Sequence, residues 1–155
     1  MRIQIVAVGR LKNAPEAALV EDYLKRANAA GKRLSLAIDL AEVESKPPGD
    51  DRKEAVALFQ ATPDDSYKVL CDERGSDLSS RQLAQKITAW RDQGRACVTF
   101  WIGGADGASQ SVKDQADEKL AFGRQTWPHR LVRVMLAEQI YRVSMIMSQT
   151  PYHRD

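Results

Sequence analysis

The segment 96–102, with the sequence A-C-V-T-F-W-I, is the feature that most constrains the fold of this chain. Its residues are almost all apolar, and they favour a strand over a helix because the run is short and rich in β-branched and aromatic side chains. A strand without a polar face is buried on both sides, as in parallel sheets that are covered by helices. The segment therefore predicts an α/β fold with a largely parallel sheet.

Strand-like and helical patterns alternate along the chain, as such a sheet requires. Strands are predicted at residues 3–8, 34–40, 67–71, 96–102 and 120–123. Helices are predicted at residues 14–30, 52–61, 79 or 80 to 93, 109–119 and 128–147. This order indicates one α/β domain that spans residues 1–155, with neither a linker nor an internal repeat.

Composition excludes several classes of protein. With 23 Lys and Arg against 21 Asp and Glu, the 155 residues carry a net charge of +2, too small to indicate a nucleic-acid partner by itself. Cys71 and Cys97 form no C-x-x-C pair, so we expect no metal site. The apolar run at the N-terminus is too short for a signal peptide or a membrane span. We expect a cytoplasmic protein without a membrane partner.

Three loops follow predicted strands, at the edge where parallel sheets bind ligands. They cover residues 71–75, 103–107 and 123–129. Adjacent Gly103 and Gly104 allow the backbone to approach a ligand closely, although a plain tight turn would use them equally well. The dinucleotide and phosphate-loop motifs are both absent. The charged run 72–74 is either a catalytic cluster or a solvated turn.

The last helix carries two apolar stripes on nearly opposite sides. One stripe would cover the sheet, and the other would pack against a second copy of the chain, which predicts a homodimer. The alternative is a helix that is buried on both sides within one subunit. The first stripe comprises Val132, Leu136, Ile140, Val143 and Met147, and the second comprises Val134, Ala137, Tyr141 and Met145.

Charged residues lie between these stripes. Glu138 and Arg142 are spaced for an ion pair within the helix. Arg130 and Arg133 lie at its start, where cations oppose the helix dipole. They either meet an anion or are simply solvated.

The end of the chain concentrates three functional side chains, Tyr152, His153 and Arg154. An aromatic ring beside an arginine suits stacking on a base and contact with a phosphate. A histidine can accept a proton near neutral pH. Chain termini are usually frayed and inert, so the ordinary interpretation, before any resemblance is considered, is that these residues have no function.

Five motifs, in this order and at these separations, together resemble the RlmH family of ribosomal RNA large-subunit methyltransferases. The resemblance covers essentially the whole chain. The motifs are Asp72-x-x-Gly75, Ile102-Gly103-Gly104-x-x-Gly107, Pro128-His129-x-Leu131-x-Arg133, Glu138-Gln139-x-Tyr141-Arg142 and Pro151-Tyr152-His153-Arg154.

This resemblance implies the SPOUT fold, in which the C-terminal segment forms a trefoil knot. It implies a homodimer that transfers a methyl group from S-adenosylmethionine. The acceptor would be N3 of a pseudouridine in helix 69 of 23S ribosomal RNA, within the assembled ribosome. The sequence departs from the family at Cys71, where leucine is expected, and at residues 148–150, where a glycine is expected.

The resemblance also implies roles for individual positions. Cofactor contacts would come from Cys71, Gly103, Gly104, Phe122, Gly123, Arg124, Gln125, Thr126 and Trp127. The catalytic group would comprise His153, Arg154, Tyr152 and His129, with His153 the first candidate for handling the proton and His129 the second. RNA would be held by Arg133, Arg142 and Arg130. Two alternatives are a non-enzymatic ribosome-binding or RNA-binding module with the same fold, and a flavodoxin-like nucleotide binder.

Overall fold

The computed structural model describes residues 1–149 and Tyr152, and within them five parallel strands form one sheet. The strands are β1 (Arg2–Val8), β2 (Ala37–Val43), β3 (Tyr67–Asp77), β4 (Cys97–Ile102) and β5 (Glu118–Ala121). The helices are α1 (Pro15–Gly31), α2 (Asp51–Ala61), α3 (Ser80–Asp92), α4 (Gln110–Gln115) and α5 (His129–Met147). The strand order is β2-β1-β4-β3-β5, which confirms the predicted parallel α/β architecture.

The central strand β4 explains why helices cover both faces of the sheet. All six of its residues are buried, and their side chains alternate between two cores. Phe100 packs with residues of α1, α3 and α5 on one face. Trp101 packs with α2 and α4 on the other, and its indole N–H donates to the hydroxyl of Thr62 over 2.8 Å. The sequence of β4 is therefore apolar apart from Thr99, because neither face meets water.

Several predicted boundaries are wrong: β5 lies at Glu118–Ala121 rather than at 120–123, and β2, α4 and β3 also differ from their predictions. Strand β2 begins at Ala37 because residues 32–34 form a single 3₁₀ turn and Ser35 takes a left-handed conformation. Helix α4 ends at Gln115, four residues early. Its continuation is prevented because Asp117 bonds the edge of β3: its N–H donates to the carbonyl of Lys68, and its carboxylate accepts from the Lys68 N–H. These bonds direct the chain into β5.

Strand β3 is longer than predicted and contains an irregularity. It continues to Asp77, and both Cys71 and Ser76 pair with Leu120 of β5, so the residues between them bulge out of the ladder. Gly75 lies in this bulge, where a Cβ atom would come within 2.6 Å of the Leu120 backbone. The bulge carries the segment 72–74 over the carboxyl edge of the sheet.

The second apolar stripe of α5 is covered within the same chain. Ala137 is fully buried beside Leu11 and Val20, and Tyr141 is 9% exposed with its ring centroid 6.2 Å from that of Tyr23 in α1. The inference that this stripe needs a second copy is therefore wrong, since α1 supplies the partner surface. A homodimer stays a prediction.

Candidate functional site

A cavity of about 700 Å³ opens at the carboxyl edge of the sheet, where the bulge of β3 meets the loops after β4 and β5. This volume is typical of sites that bind small molecules. Most of the residues predicted to bind the cofactor line it, whereas Gly123 and Arg124 lie in the third loop and do not line it. The lining residues from that prediction are Cys71, Gly103, Gly104, Phe122, Gln125, Thr126 and Trp127.

The irregular part of β3, residues 71–75, contributes an uncharged thiol and two carboxylates. Burial raises the pKa of Cys71 to about 12, so this side chain presents a small neutral surface to the cavity. The Asp72 carboxylate accepts the N–H of Arg74 over 2.9 Å and lies 3.8 Å from the ammonium of Lys113. The Glu73 carboxylate accepts a hydrogen bond from the hydroxyl of Thr126 over 2.7 Å, which joins the bulge of β3 to the loop after β5.

The glycine loop after β4 is a tight turn that folds onto itself. The Gly107 N–H donates to the carbonyl of Gly104 over 3.1 Å, and Gly107 has φ of +86°. A Cβ atom on Gly103 would lie 2.8 Å from the Ala108 nitrogen, and one on Gly104 would lie 2.7 Å from the carboxylate of Glu54. The turn therefore requires glycine for its own packing. The absence of side chains also lets the backbone line the cavity. A tight turn and a loop that approaches a ligand closely are therefore compatible interpretations of this segment.

The third loop closes on itself and leads into α5. The indole of Trp127 donates to the carbonyl of Phe122 over 2.9 Å, which fixes both ends of the loop. His129, the first residue of α5, lines the cavity. Its pKa is lowered by burial and by the charges of Arg133 and Arg130. Its imidazole is therefore mainly neutral near pH 7 and available to accept a proton.

The guanidinium of Arg133 is committed to contacts within the chain. Its side chain has no exposed surface and donates to the Glu42 carboxylate over 2.6 Å and to the carbonyls of Val8 and Gly9 over 3.0 and 3.1 Å. We therefore assign it no phosphate contact. Glu42 supplies the anion that the helix start lacks. By contrast, Arg130 is exposed, and no described residue pairs with it.

The predicted pair of Glu138 and Arg142 forms, and it holds the one described residue of the tail motif. The Arg142 guanidinium donates to Glu138 over 2.6 and 3.0 Å. The Tyr152 hydroxyl lies 3.4 Å from the same carboxylate, and its ring packs 4.5 Å from that of Tyr141. Neither Arg142 nor Tyr152 lines the cavity. The predictions for His153 and Arg154 fall outside the described residues.

Sequence reasoning missed Glu42 and the link between Glu73 and Thr126. The one available signal for Glu42 is a carboxylate near the end of the strand A-I-D-L-A-E-V, which also contains Asp39.

Over the described part of the chain, no helix is long and apolar enough to cross a membrane. In the same residues no group of His, Cys, Asp and Glu is arranged to hold a metal ion.

The chain is similar to known proteins over essentially its whole length. A family model described as "Predicted SPOUT methyltransferase" matches residues 1–153. A protein of Paracoccus denitrificans is 52% identical over 156 residues, and one of Phenylobacterium zucineum is 51% identical, each covering all of both chains. A third, from Cereibacter sphaeroides, is 48% identical over 99% of both chains. Each of these relatives is named Ribosomal RNA large subunit methyltransferase H.

Proposed function

The chain belongs to the SPOUT methyltransferases, in the family of ribosomal RNA large subunit methyltransferase H, and on this premise we propose its substrate and its site. It is a methyltransferase of large-subunit ribosomal RNA, and the family implies the knotted C-terminal segment. We propose that residues 1–155 form one SPOUT domain that works in the cytoplasm. It methylates N3 of a pseudouridine in helix 69 of 23S ribosomal RNA within the assembled ribosome.

The observation that carries this proposal is the cavity at the edge of the sheet. Its volume of about 700 Å³ can hold S-adenosylmethionine, and its lining combines apolar side chains with bare glycine backbone and charged groups. Ile102, Phe122 and Val132 would contact apolar parts of the cofactor, while Gly103 and Gly104 would present backbone groups. When bound, the cofactor supplies a methyl group on a positively charged sulfur, and the protein supplies placement.

The acceptor nitrogen carries a proton that must leave when the methyl group is transferred, so a base is needed. His129 is supported by its position in the cavity wall and by its lowered pKa. His153 remains the other candidate, since it belongs to the tail motif that carries the family resemblance. Single-turnover methylation by His129→Ala and His153→Ala variants separates them, because the variant that lacks the base loses the chemical step while it retains cofactor binding.

Two further arginines suit the RNA backbone. Arg130 and Arg124 are exposed on the segment that forms one wall of the cavity. Exposed arginines bind phosphates with a planar fork of donors. We propose that these two residues hold phosphates near the target base, and that Arg142, which pairs with Glu138, contacts RNA together with the tail.

We also propose that the active protein is a homodimer whose site takes the tail from the second copy. Tyr152 packs beside Tyr141, twelve residues after His129 in α5, which is about 18 Å along the helix axis. The tail of one chain therefore starts far from its own cavity. Large apolar side chains at the rim of the cavity, Trp127 and Leu131, are 39% and 41% exposed and offer a surface for the second copy.

Ribosomes from cells that lack the corresponding enzyme provide the test of function. The purified protein, given S-adenosylmethionine, is expected to methylate one pseudouridine of helix 69, at N3, as mapped by mass spectrometry of digested RNA. Free 23S RNA should be a poor substrate. Saturable ribosome binding without methyl transfer would refute the enzyme and favour a binding module.

Mixed dimers test the shared site. One variant carries a damaged cofactor loop, Gly103→Ala, and is assayed at a cofactor concentration below its raised KM. The other carries a damaged tail, His153→Ala. Each is expected to have little activity by itself. After both are unfolded and refolded together, random pairing of the two chains restores about a quarter of the wild-type activity if tails cross between copies. If each tail serves its own cavity, the mixture stays inactive.

A further inference from the structure

The buried side chain of Arg133 joins three separate parts of the fold. It extends from the first turns of α5 to Glu42 in β2 and to the carbonyl groups of Val8 and Gly9 at the end of β1. The same Glu42 oxygen accepts the N–H of Leu11 over 3.0 Å, so the loop after β1 is held as well. One ion pair thus ties the start of α5 to the carboxyl ends of two neighbouring strands.

The residues next to this ion pair form a wall of the cavity. His129 lies one helical turn before Arg133, and Val132 directly precedes it; both line the cavity. Gly9, whose carbonyl Arg133 holds, lies under the imidazole: a Cβ atom on Gly9 would be 4.0 Å from His129 Nε2. The loop 122–128 ends at this helix start. The ion pair therefore lies directly behind the third loop of the cavity.

Stability alone does not account for such a pair. A buried ion pair often contributes no more to stability than an apolar pair of equal volume, because both charges lose their hydration. An arginine in the first turns of a helix also opposes the helix dipole. In addition, Nε of Arg133 is buried without a hydrogen-bond partner among the described residues. An apolar pair could not reproduce the hydrogen bonds that the Arg133 guanidinium donates at the same time to Glu42, Val8 and Gly9.

We propose that Arg133 and Glu42 form a positioning clamp that fixes the first turn of α5, and with it His129 and the loop 122–128, in the geometry that binds the cofactor. The inference rests on the proposed function. Arg133 touches neither cofactor nor RNA and acts through the residues it holds. Its planar fork bonds carboxylate and carbonyls together, which the single ammonium of lysine cannot do.

Arg133→Lys and Glu42→Gln are the variants that test the clamp, with calorimetry for cofactor affinity, steady-state kinetics on ribosomes and NMR of the His129 ring. We expect each variant to unfold cooperatively and to bind S-adenosylmethionine at least about tenfold more weakly, with KM for the cofactor raised more than kcat is lowered. In Glu42→Gln the guanidinium loses its counter-charge, so the pKa of His129 is expected to fall further.

Two controls separate positioning from loss of stability. Arg2→Gln breaks an ion pair with Asp39 that joins the same strands β1 and β2 at the opposite end, about 20 Å away. Ile140→Val removes one buried methyl group from α5 without touching the clamp. Both are expected to lower the melting temperature and to leave cofactor affinity and the pKa of His129 unchanged.

The clamp is refuted if Arg133→Lys and Glu42→Gln bind the cofactor within about threefold of wild type. It is also refuted if the controls weaken binding as much at an equal loss of stability. Should Arg133→Lys fail to fold, Glu42→Gln decides. If neither folds, the pair is a folding element and the proposal is wrong. If the wild-type protein binds no cofactor, the proposed function fails, and the clamp is then judged by the pKa of His129 in Glu42→Gln.

Discussion

Replacement of Gly103 by alanine should damage the cofactor site more than it damages the fold. The new methyl carbon would lie 2.8 Å from the Ala108 nitrogen and 2.9 Å from the Gly107 carbonyl carbon, inside normal contact distance. All three nearest atoms belong to the backbone of the glycine loop. The loop itself must therefore shift by several tenths of an ångström, and it is the loop that lines the cavity.

The cost to stability follows from two opposing effects. Overpacking of a tight site costs about 1–3 kcal/mol. Gly103 is not among the glycines with positive φ, so alanine can adopt its backbone conformation and gains about 0.4–1 kcal/mol by restricting the unfolded chain. The net loss is then about 1–2 kcal/mol, which lowers the melting temperature by roughly 2–8 °C in a domain of this size. The variant therefore remains folded at 25 °C.

Gly94→Ala is the matched control. Gly94 lies beyond α3 with φ of +77° and open space around its Cβ position, so alanine there costs about 1–2 kcal/mol through backbone strain alone. Calorimetry with S-adenosylmethionine should show at least about tenfold weaker binding by Gly103→Ala, or 1.4 kcal/mol, and unchanged binding by Gly94→Ala. Equal affinities for the two variants at similar melting temperatures would refute the assignment of the glycine loop to the cofactor site.

Three further predictions concern the fold and the proposed RNA contacts. Burial lowers the pKa of His129, so its neutral form contributes stability that is present above about pH 6.5 and is lost as the pH falls through the lower pKa of the folded state. The urea midpoint of His129→Gln should therefore change less between pH 7.5 and 5.5 than that of the wild-type protein. An equal change in the two proteins would contradict the lowered pKa of His129. Arg130→Gln should weaken ribosome binding and make the slope of log K against log salt shallower by about 0.9, whereas Arg33→Gln, exposed at the opposite edge of the sheet, should change neither. Trp101→Phe removes the buried bond to Thr62 and should cost about 1–3 kcal/mol in chemical denaturation, with cofactor affinity unchanged; a shift in affinity would show that this core reaches the site.

The sequence was sufficient to predict the sheet and the edge that carries the site. An apolar β4 requires helices on both faces, and parallel strands bring their carboxyl ends together, so the loops that follow Cys71 and Ile102 had to meet. These inferences need only local patterns. The end of α4 was missed because hydrogen bonds between Asp117 and Lys68, 49 residues apart, decide where the helix stops. Local propensity contains no information about that contact.

The role of Arg133 was missed for the same reason, with a larger consequence. Its position in the first turns of α5 correctly indicated a need for an anion, and a phosphate of the RNA seemed the natural partner. The anion is Glu42, 91 residues away, and it is visible only once β2 lies beside β1. Arg130, one turn earlier, meets the same helix dipole without such a partner and stays exposed. Two arginines with similar sequence contexts therefore have different surroundings: Arg133 is bonded to Glu42 within the fold, whereas Arg130 stays exposed, as its proposed contact with RNA requires. The difference between the two arginines depends on which of them faces the strands. Helical periodicity alone cannot show this, because α1 buries a second side of α5 and both sides carry apolar residues.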